Sequence, residues 1–160
     1  VLQTVFKYKR GAQMNLSNLI KKDHITFKKS VDSFEDAIYE SGQVLLDKRI
    51  IEKKYLDKVI ENVKTIGPYI VIAPMIALSH ARPEDGANAL GMSLLMLEEP
   101  INFSKDKDRK AKAIITLAAS NENDHLDALS QMSKMLMENM ESFLGAKDKE
   151  TILKMIKNYS

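Results

Sequence analysis

The sequence predicts an α/β domain, a mixed β-sheet of about five strands flanked by helices. Three observations carry that expectation. Apolar runs at residues 69–72, 76–79, 89–97 and 113–119 are continuous rather than alternating, as strands covered on both faces require. Around them lie segments whose apolar residues recur at helical spacing. The 160 residues suit one domain, large enough to bury roughly two thirds of its unfolded surface.

Composition narrows the function classes. There is no cysteine, which excludes disulfides, thiolate zinc sites and cysteine nucleophiles. The 24 basic and 22 acidic residues nearly cancel and are interspersed, so nucleic acid is not an expected partner. No apolar run reaches the ~18 residues of a membrane span, and no signal-peptide pattern is seen. The expectation is a cytoplasmic protein that does not itself enter the membrane.

Residues 1–13 carry Lys7, Lys9 and Arg10 without periodicity, and Met14 behind them opens a natural start. They read as a cloning remnant, a mis-assigned start or a linker, leaving 14–160 as the domain. One helical turn fits 16–20, and Ile25, Phe27 and Val31 alternate with polar residues as a strand. Ser33 is placed to cap an amphipathic helix bearing Phe34, Ala37, Ile38, Val44, Leu45 and Leu46. A second helix covers 52–64 and is stopped by Gly67-Pro68.

Two short strands follow, separated by Ala73-Pro74-Met75 because proline has no N–H for a central ladder. A turn at 82–86 precedes the strand at 89–97, which Glu98-Glu99-Pro100 ends; 102–112 reads as a charged loop with a solvated tip. After the strand at 113–119, Asn121 or Asp124 can cap a helix with Leu126, Leu129, Met132, Met135 and Leu136 on one face. Residues 149–157 form a last helix, and the methionines at 132, 135, 137 and 140 read as core filler.

The chain has three histidines. His24, among lysines, reads as an ordinary surface residue. His80 alone is equally a structural histidine at a strand end, and His125 alone a residue of a helix start. Both stand just past the C-terminal side of a buried strand, where α/β proteins place their sites, so they form a candidate pair. A metal centre would need a third ligand from Glu84, Asp85 or Asp124, and no metal-binding spacing supports it. Ser79 adjoins His80, but strand neighbours point to opposite faces, which argues against a Ser-His-Asp site. The glycine patterns of nucleotide-binding loops are absent. Nucleophilic catalysis by a neutral imidazole attacking phosphorus remains, with Arg82, His125 and backbone N–H groups as donors to the phosphoryl oxygens.

The segment GPYIVIAPMIALSHARPEDGA resembles the active-site region of enzyme IIA components of the bacterial phosphoenolpyruvate-dependent sugar phosphotransferase system. The likeness is to the mannitol/fructose class, most closely its ascorbate branch, and LAASNENDHLDALSQMSKML is similar to the block carrying the second histidine. The resemblance implies that His80 accepts a phosphoryl group from phosphohistidine on HPr and passes it to a cysteine of enzyme IIB, the membrane enzyme IIC being an indirect partner. His125 matches the auxiliary histidine, and neither metal nor cofactor takes part. It also implies that the sugar, ascorbate or a relative, is selected elsewhere. The mannitol branch has an arginine upstream of the active histidine; residues 62–64 here contain none, and Arg82 is the suggested substitute. The family usually has Pro where Ser79 stands and commonly Gly where Met75 stands, which places an apolar side chain near the docking surface.

Glu84, Asp85, Glu122 and Asp124 are expected as an acidic rim around Arg82 and His125, attracting a carrier protein. Two other functions are open on the sequence: a regulatory module of the same fold switched by histidine phosphorylation, and a histidine-dependent hydrolase or metal enzyme.

Overall fold

A computed structural model describes residues 15–159; residues 1–13, Met14 and Ser160 lie outside the described residues. Helix α1 (Leu16–Leu19) is one turn capped by Asn15, whose side chain accepts from the Ser17 N–H. Strand β1 (Ile25–Lys28) follows, then helices α2 (Phe34–Asp47) and α3 (Lys53–Thr65). Strands β2 (Val71–Ala73), β3 (Met75–Ser79), β4 (Gly91–Asn102) and β5 (Lys110–Ala118) come next, and helices α4 (Glu122–Leu144) and α5 (Lys149–Lys157) close the chain. The Ser33 hydroxyl accepts from the Asp36 N–H, and Glu35 and Asp36 sit in the first turn of α2, where carboxylates oppose the helix dipole favourably.

The five strands form one mixed sheet in the order β1-β4-β5-β3-β2. β1 lies parallel to β4 and β3 parallel to β5, while β4–β5 and β2–β3 are antiparallel. Alternate residues go to opposite faces. Ile76, Leu78, Ile115 and Leu117 pack against Leu16, Met132, Met135, Phe143 and Ile152 of α1, α4 and α5. Ala77, Ile114, Leu95 and Ala118 pack against Ile38, Leu45, Tyr55, Leu56 and Val59 of α2 and α3. Two helical layers thus cover the two faces, which is why these strands could be apolar throughout. Gly42 lets α2 and α3 meet: a Cβ there would stand 2.8 Å from the Leu56 side chain.

Five expectations need correction. β4 does not end at Glu98-Glu99-Pro100; it runs to Asn102, because a register irregularity between Met96 and Ile101 accommodates the proline, as bulges do. β5 starts at Lys110, so the loop between these strands is only residues 103–109. Val31 lies beyond β1. His24 is buried, not exposed. A 3₁₀ turn, Lys22–His24, folds its ring inward. There Nδ1 lies 2.9 Å from the Leu19 carbonyl and 2.7 Å from that of Met92, and Nε2 is 2.8 Å from Lys48 Nζ. Two carbonyls can only accept, so Nδ1 carries the proton and Nε2 receives the ammonium's N–H. Of the methionine series, Met132 and Met135 are buried and Met137 is 81% exposed.

The topology fixes where the two histidines emerge. Because β3 and β5 run parallel with Ser79 opposite Thr116, the residues following both strands leave at the same edge of the sheet. β4 is antiparallel to β5 with Gly91 opposite Ala118, so the segment joining β3 to β4 also lies at that edge. Gly86 closes this segment onto α3: its φ of 127° suits glycine, and its carbonyl accepts from the Glu52 N–H at 2.9 Å.

Met75 opens β3 at the opposite edge with φ of 71°. A left-handed backbone costs a non-glycine residue roughly 1–2 kcal/mol. Met75→Gly is therefore expected to stabilise the protein by about 1 kcal/mol, read as a higher urea midpoint. The same replacement at Met92, buried in β4, is expected to lower it.

Candidate functional site

His80 follows β3 directly, half buried, at the edge just described. Its Nδ1 is 2.8 Å from the carbonyl of Leu78, two residues back. A carbonyl can only accept, so this partner assigns the proton to Nδ1 and leaves the lone pair on Nε2. The peptide unit after the ring is held from both ends. The Tyr69 hydroxyl donates to the His80 carbonyl at 3.2 Å, and the Ala81 N–H donates to the Tyr55 hydroxyl oxygen at 3.0 Å. Tyr55 in turn donates to the Leu117 carbonyl at 2.7 Å. Burial pushes the Tyr55 phenol up to about 12, against the opposing effect of the Ala81 backbone, so its hydroxyl keeps its proton throughout the neutral range.

His125 arrives from the other strand. Asn121 caps α4, its side chain accepting from the Asp124 N–H at 2.9 Å and its carbonyl from the His125 N–H at 3.2 Å. This sets His125 in the first helical turn. The two imidazoles stand 5.8 Å apart, centroid to centroid, with planes tilted by 43°. His125 Nε2 is buried and has no hydrogen-bond partner. Burial first, and the neighbouring His80 second, hold the His125 ring below the ordinary imidazole value, while Glu122 opposes them.

The pair opens into a cleft of about 630 Å³. Lys58 and Asn62 of α3 line it, with Ile66, Tyr69, Arg82, Glu84, Asp85, Glu122 and Leu126. Two cations, Lys58 and Arg82, therefore border the histidines. Arg82 is exposed, its backbone N–H bonded to the Asp85 carboxylate at 3.0 Å; Lys58 Nζ is 3.6 Å from Glu61. Glu84, Asp85 and Glu122 form an acidic border, but Asp124 is not part of the lining: its carboxylate accepts from the Asn121 side chain at 2.9 Å.

The remaining sequence candidates fall elsewhere. Ser79 is fully buried, its Oγ without a partner, and strand alternation turns it toward α2 and α3, away from the cleft. Met75 sits at the far end of β3 from His80, so it adds no apolar surface beside the site. Among the described residues no cluster of three His, Asp or Glu side chains could hold a metal ion. Leu126, expected on the buried face of α4, is 60% exposed at the cleft mouth, beside Ile66 at 73% and Tyr69 at 37%.

Sequence reasoning missed Tyr55, Tyr69, Asn62 and Lys58. Tyr55 followed helical spacing and was indistinguishable from an ordinary core residue; the one signal was its phenol, which requires a partner when buried. Burial holds the Tyr69 phenol above its ordinary value, and the neighbouring Asn62 side chain opposes that rise.

A family model described as phosphoenolpyruvate-dependent sugar phosphotransferase system, EIIA 2, matches residues 18–159. The chain is 33% identical over 145 residues to the mannitol-specific cryptic phosphotransferase enzyme IIA component of Escherichia coli, covering 89% of this chain and 98% of that one. A solution structure of that E. coli component, at 32% identity, matches with a TM-score of 0.84 over 90% of this chain and 99% of the other. The chain is also 29% identical over 126 residues to the ascorbate-specific EIIA component of E. coli, covering 79% and 82% of the two. An E. coli complex of mannitol enzyme IIA with phosphorylated enzyme IIB shares the fold, with a TM-score of 0.73 at 21% identity over 88% of this chain and 99% of that one.

His125 is expected to titrate in NMR below the ordinary 6.5, and to move up, without fully returning, in His80→Asn. Because the unfolded ring takes its proton first as the pH falls, His125 contributes fully to folding above that ordinary value and loses its contribution below it. The decline in melting temperature between about pH 7 and 5 is expected to be shallower in His125→Asn.

Proposed function

The chain belongs to the phosphoenolpyruvate-dependent sugar phosphotransferase system EIIA 2 family, and on that premise we propose that it relays a phosphoryl group on His80 Nε2. The donor is phosphohistidine of HPr, and the acceptor is a cysteine of the cognate enzyme IIB. The observation that carries this reading is the Nδ1 contact to the Leu78 carbonyl: it leaves Nε2 as the one ring nitrogen with a free lone pair, beside a cleft bordered by cations.

In the first step the Nε2 lone pair attacks phosphorus. The new N–P bond forms as the N–P bond to HPr breaks, and its electron pair returns to the HPr imidazole. In the second step a cysteine thiolate of enzyme IIB attacks the same phosphorus, an S–P bond forms, and His80 recovers its electron pair. There is little covalent chemistry for the protein beyond this, so its contribution is position and charge. His125 stands 5.8 Å away with an unpaired Nε2 and supplies a hydrogen bond to a phosphoryl oxygen. Lys58 and Arg82 offset a group carrying about −1.5 to −2 charges.

The exposed Ile66, Tyr69 and Leu126 around the cleft give a partner an apolar seat, and Glu84 and Glu122 steer a basic one toward it. Among the described residues no helix is long and apolar enough to cross a membrane; the reading places the chain in the cytoplasm, reaching enzyme IIC only through enzyme IIB. The ascorbate- and mannitol-specific relatives support ascorbate or a related sugar as the transported substrate.

Incubation with phosphoenolpyruvate, enzyme I and HPr is expected to give acid-labile phosphate on His80, and none in His80→Ala. Undiminished labelling of His80→Ala would sink the assignment. His125→Ala is expected to keep some acceptance while onward transfer to enzyme IIB slows by about 10²–10³. Lys58→Ala and Arg82→Ala are expected to slow transfer by about tenfold each, read in the same assay. A protein that is labelled normally but passes phosphate to no enzyme IIB would be a regulator instead.

A further inference from the structure

We propose that Tyr55 and Tyr69 are positioning residues that hold the His80–Ala81 peptide plane between their hydroxyls and thereby fix which nitrogen of His80 reacts. The inference rests on the phosphocarrier reading for its functional meaning and on hydrogen-bond geometry for its structural content. A peptide unit is planar and rigid, so fastening its two polar ends fixes the two dihedrals that flank it. Here the carbonyl end accepts from Tyr69 at 3.2 Å and the N–H end donates to Tyr55 at 3.0 Å. The tyrosines come from different elements, Tyr55 from α3 and Tyr69 from the segment before β2, so the plane is held from two independent directions.

The single hydroxyl proton of Tyr55 settles the direction of its bonds. The Leu117 carbonyl at 2.7 Å takes that proton in preference to the Ala81 carbonyl at 3.3 Å, leaving a lone pair for the Ala81 N–H. Rotation of the peptide plane would break both contacts. Through Leu117 the same hydroxyl ties the exit of β3 to the end of β5, the strand that leads to His125. Tyr69 adds a second restraint, its ring edge-on to the His80 ring at 5.6 Å and 75°. With the backbone fixed and the Tyr69 ring packed edge-on against it, the imidazole is kept 2.8 Å from the Leu78 carbonyl, and Nε2 alone is left to face the phosphoryl donor. A released ring would exchange between Nδ1–H and Nε2–H forms, and the second form has no lone pair on Nε2.

The test uses the full chain with ¹⁵N-labelled histidine, without phosphorylation, and then the phosphoryl-acceptance rate from phospho-HPr. The parent protein is expected to show His80 as the Nδ1–H tautomer alone. In the Tyr55→Phe/Tyr69→Phe double variant the Nε2–H tautomer is expected to appear, and acceptance to slow by about tenfold. Tyr39→Phe, whose hydroxyl meets Asp57 on the outer surface of α2 and α3, is expected to change neither. Should the double variant not fold, Tyr69→Phe alone, at a residue already 37% exposed, decides by the same two readings. The proposal is overturned if the tautomer stays purely Nδ1–H, whether or not the rate falls, since a slower rate alone would mark a structural role. A parent protein that phospho-HPr does not label would refute the phosphocarrier reading, while the tautomer comparison would still decide the positioning role.

Discussion

The site turns on one short contact, from His80 Nδ1 to the carbonyl of Leu78. An imidazole offers two nitrogens, and the phosphoryl relay proposed for this chain requires that one of them be presented. A backbone carbonyl serves well as the locking group because it can only accept and belongs to the strand that carries the ring. The hydrogen bond therefore converts a neutral histidine from two possible nucleophiles to one. Everything nearby preserves that arrangement: β3 supplies the carbonyl, the turn beyond Ala81 is closed onto α3 by Gly86, and Tyr55 and Tyr69 hold the intervening peptide.

The second requirement is that His125 arrive at the same place, and this comes from the sheet. β3 and β5 are sequence-distant but adjacent and parallel, so their C-terminal ends share one edge. A parallel pair needs covering layers on both faces, which α2 and α3 provide on one side and α1, α4 and α5 on the other. The cap at Asn121 then starts α4 immediately after β5 and places the second ring in its first turn. The depressed proton affinity of His125 follows from this packing, since burial is its leading cause; in the proposed relay a neutral ring there avoids repelling its neighbour and keeps one N–H for a phosphoryl oxygen.

Much of this was legible in the sequence, and the failures have specific causes. The approach of His80 to His125 could be anticipated because each follows an apolar run, and apolar runs mark buried strands whatever their partners. The helices were legible from spacing and from the caps at Ser33 and Asn121. Strand pairing was not, because nothing local distinguishes a parallel neighbour from an antiparallel one. His24 was misjudged because its chain neighbours are lysines, whereas its ring is satisfied by carbonyls from Leu19 and from Met92, 68 residues on. Pro100 read as a strand end because a bulge that tolerates it leaves no sequence mark. Tyr55 was hidden most completely: its position fits a packed helix face, and its partners, at Ala81 and Leu117, lie 26 and 62 residues away. A buried phenol announces a need for hydrogen bonds but not where they go.

The regiochemistry of the phosphorylated protein decides whether His80 Nε2 is the reacting atom. With ¹⁵N in the histidine rings, nitrogen–phosphorus coupling identifies the atom that carries phosphorus after incubation with phosphoenolpyruvate, enzyme I and HPr. A single coupled nitrogen is expected, Nε2 of His80, with Nδ1 still protonated. Phosphorus on Nδ1 of His80, or on any other histidine, would contradict it.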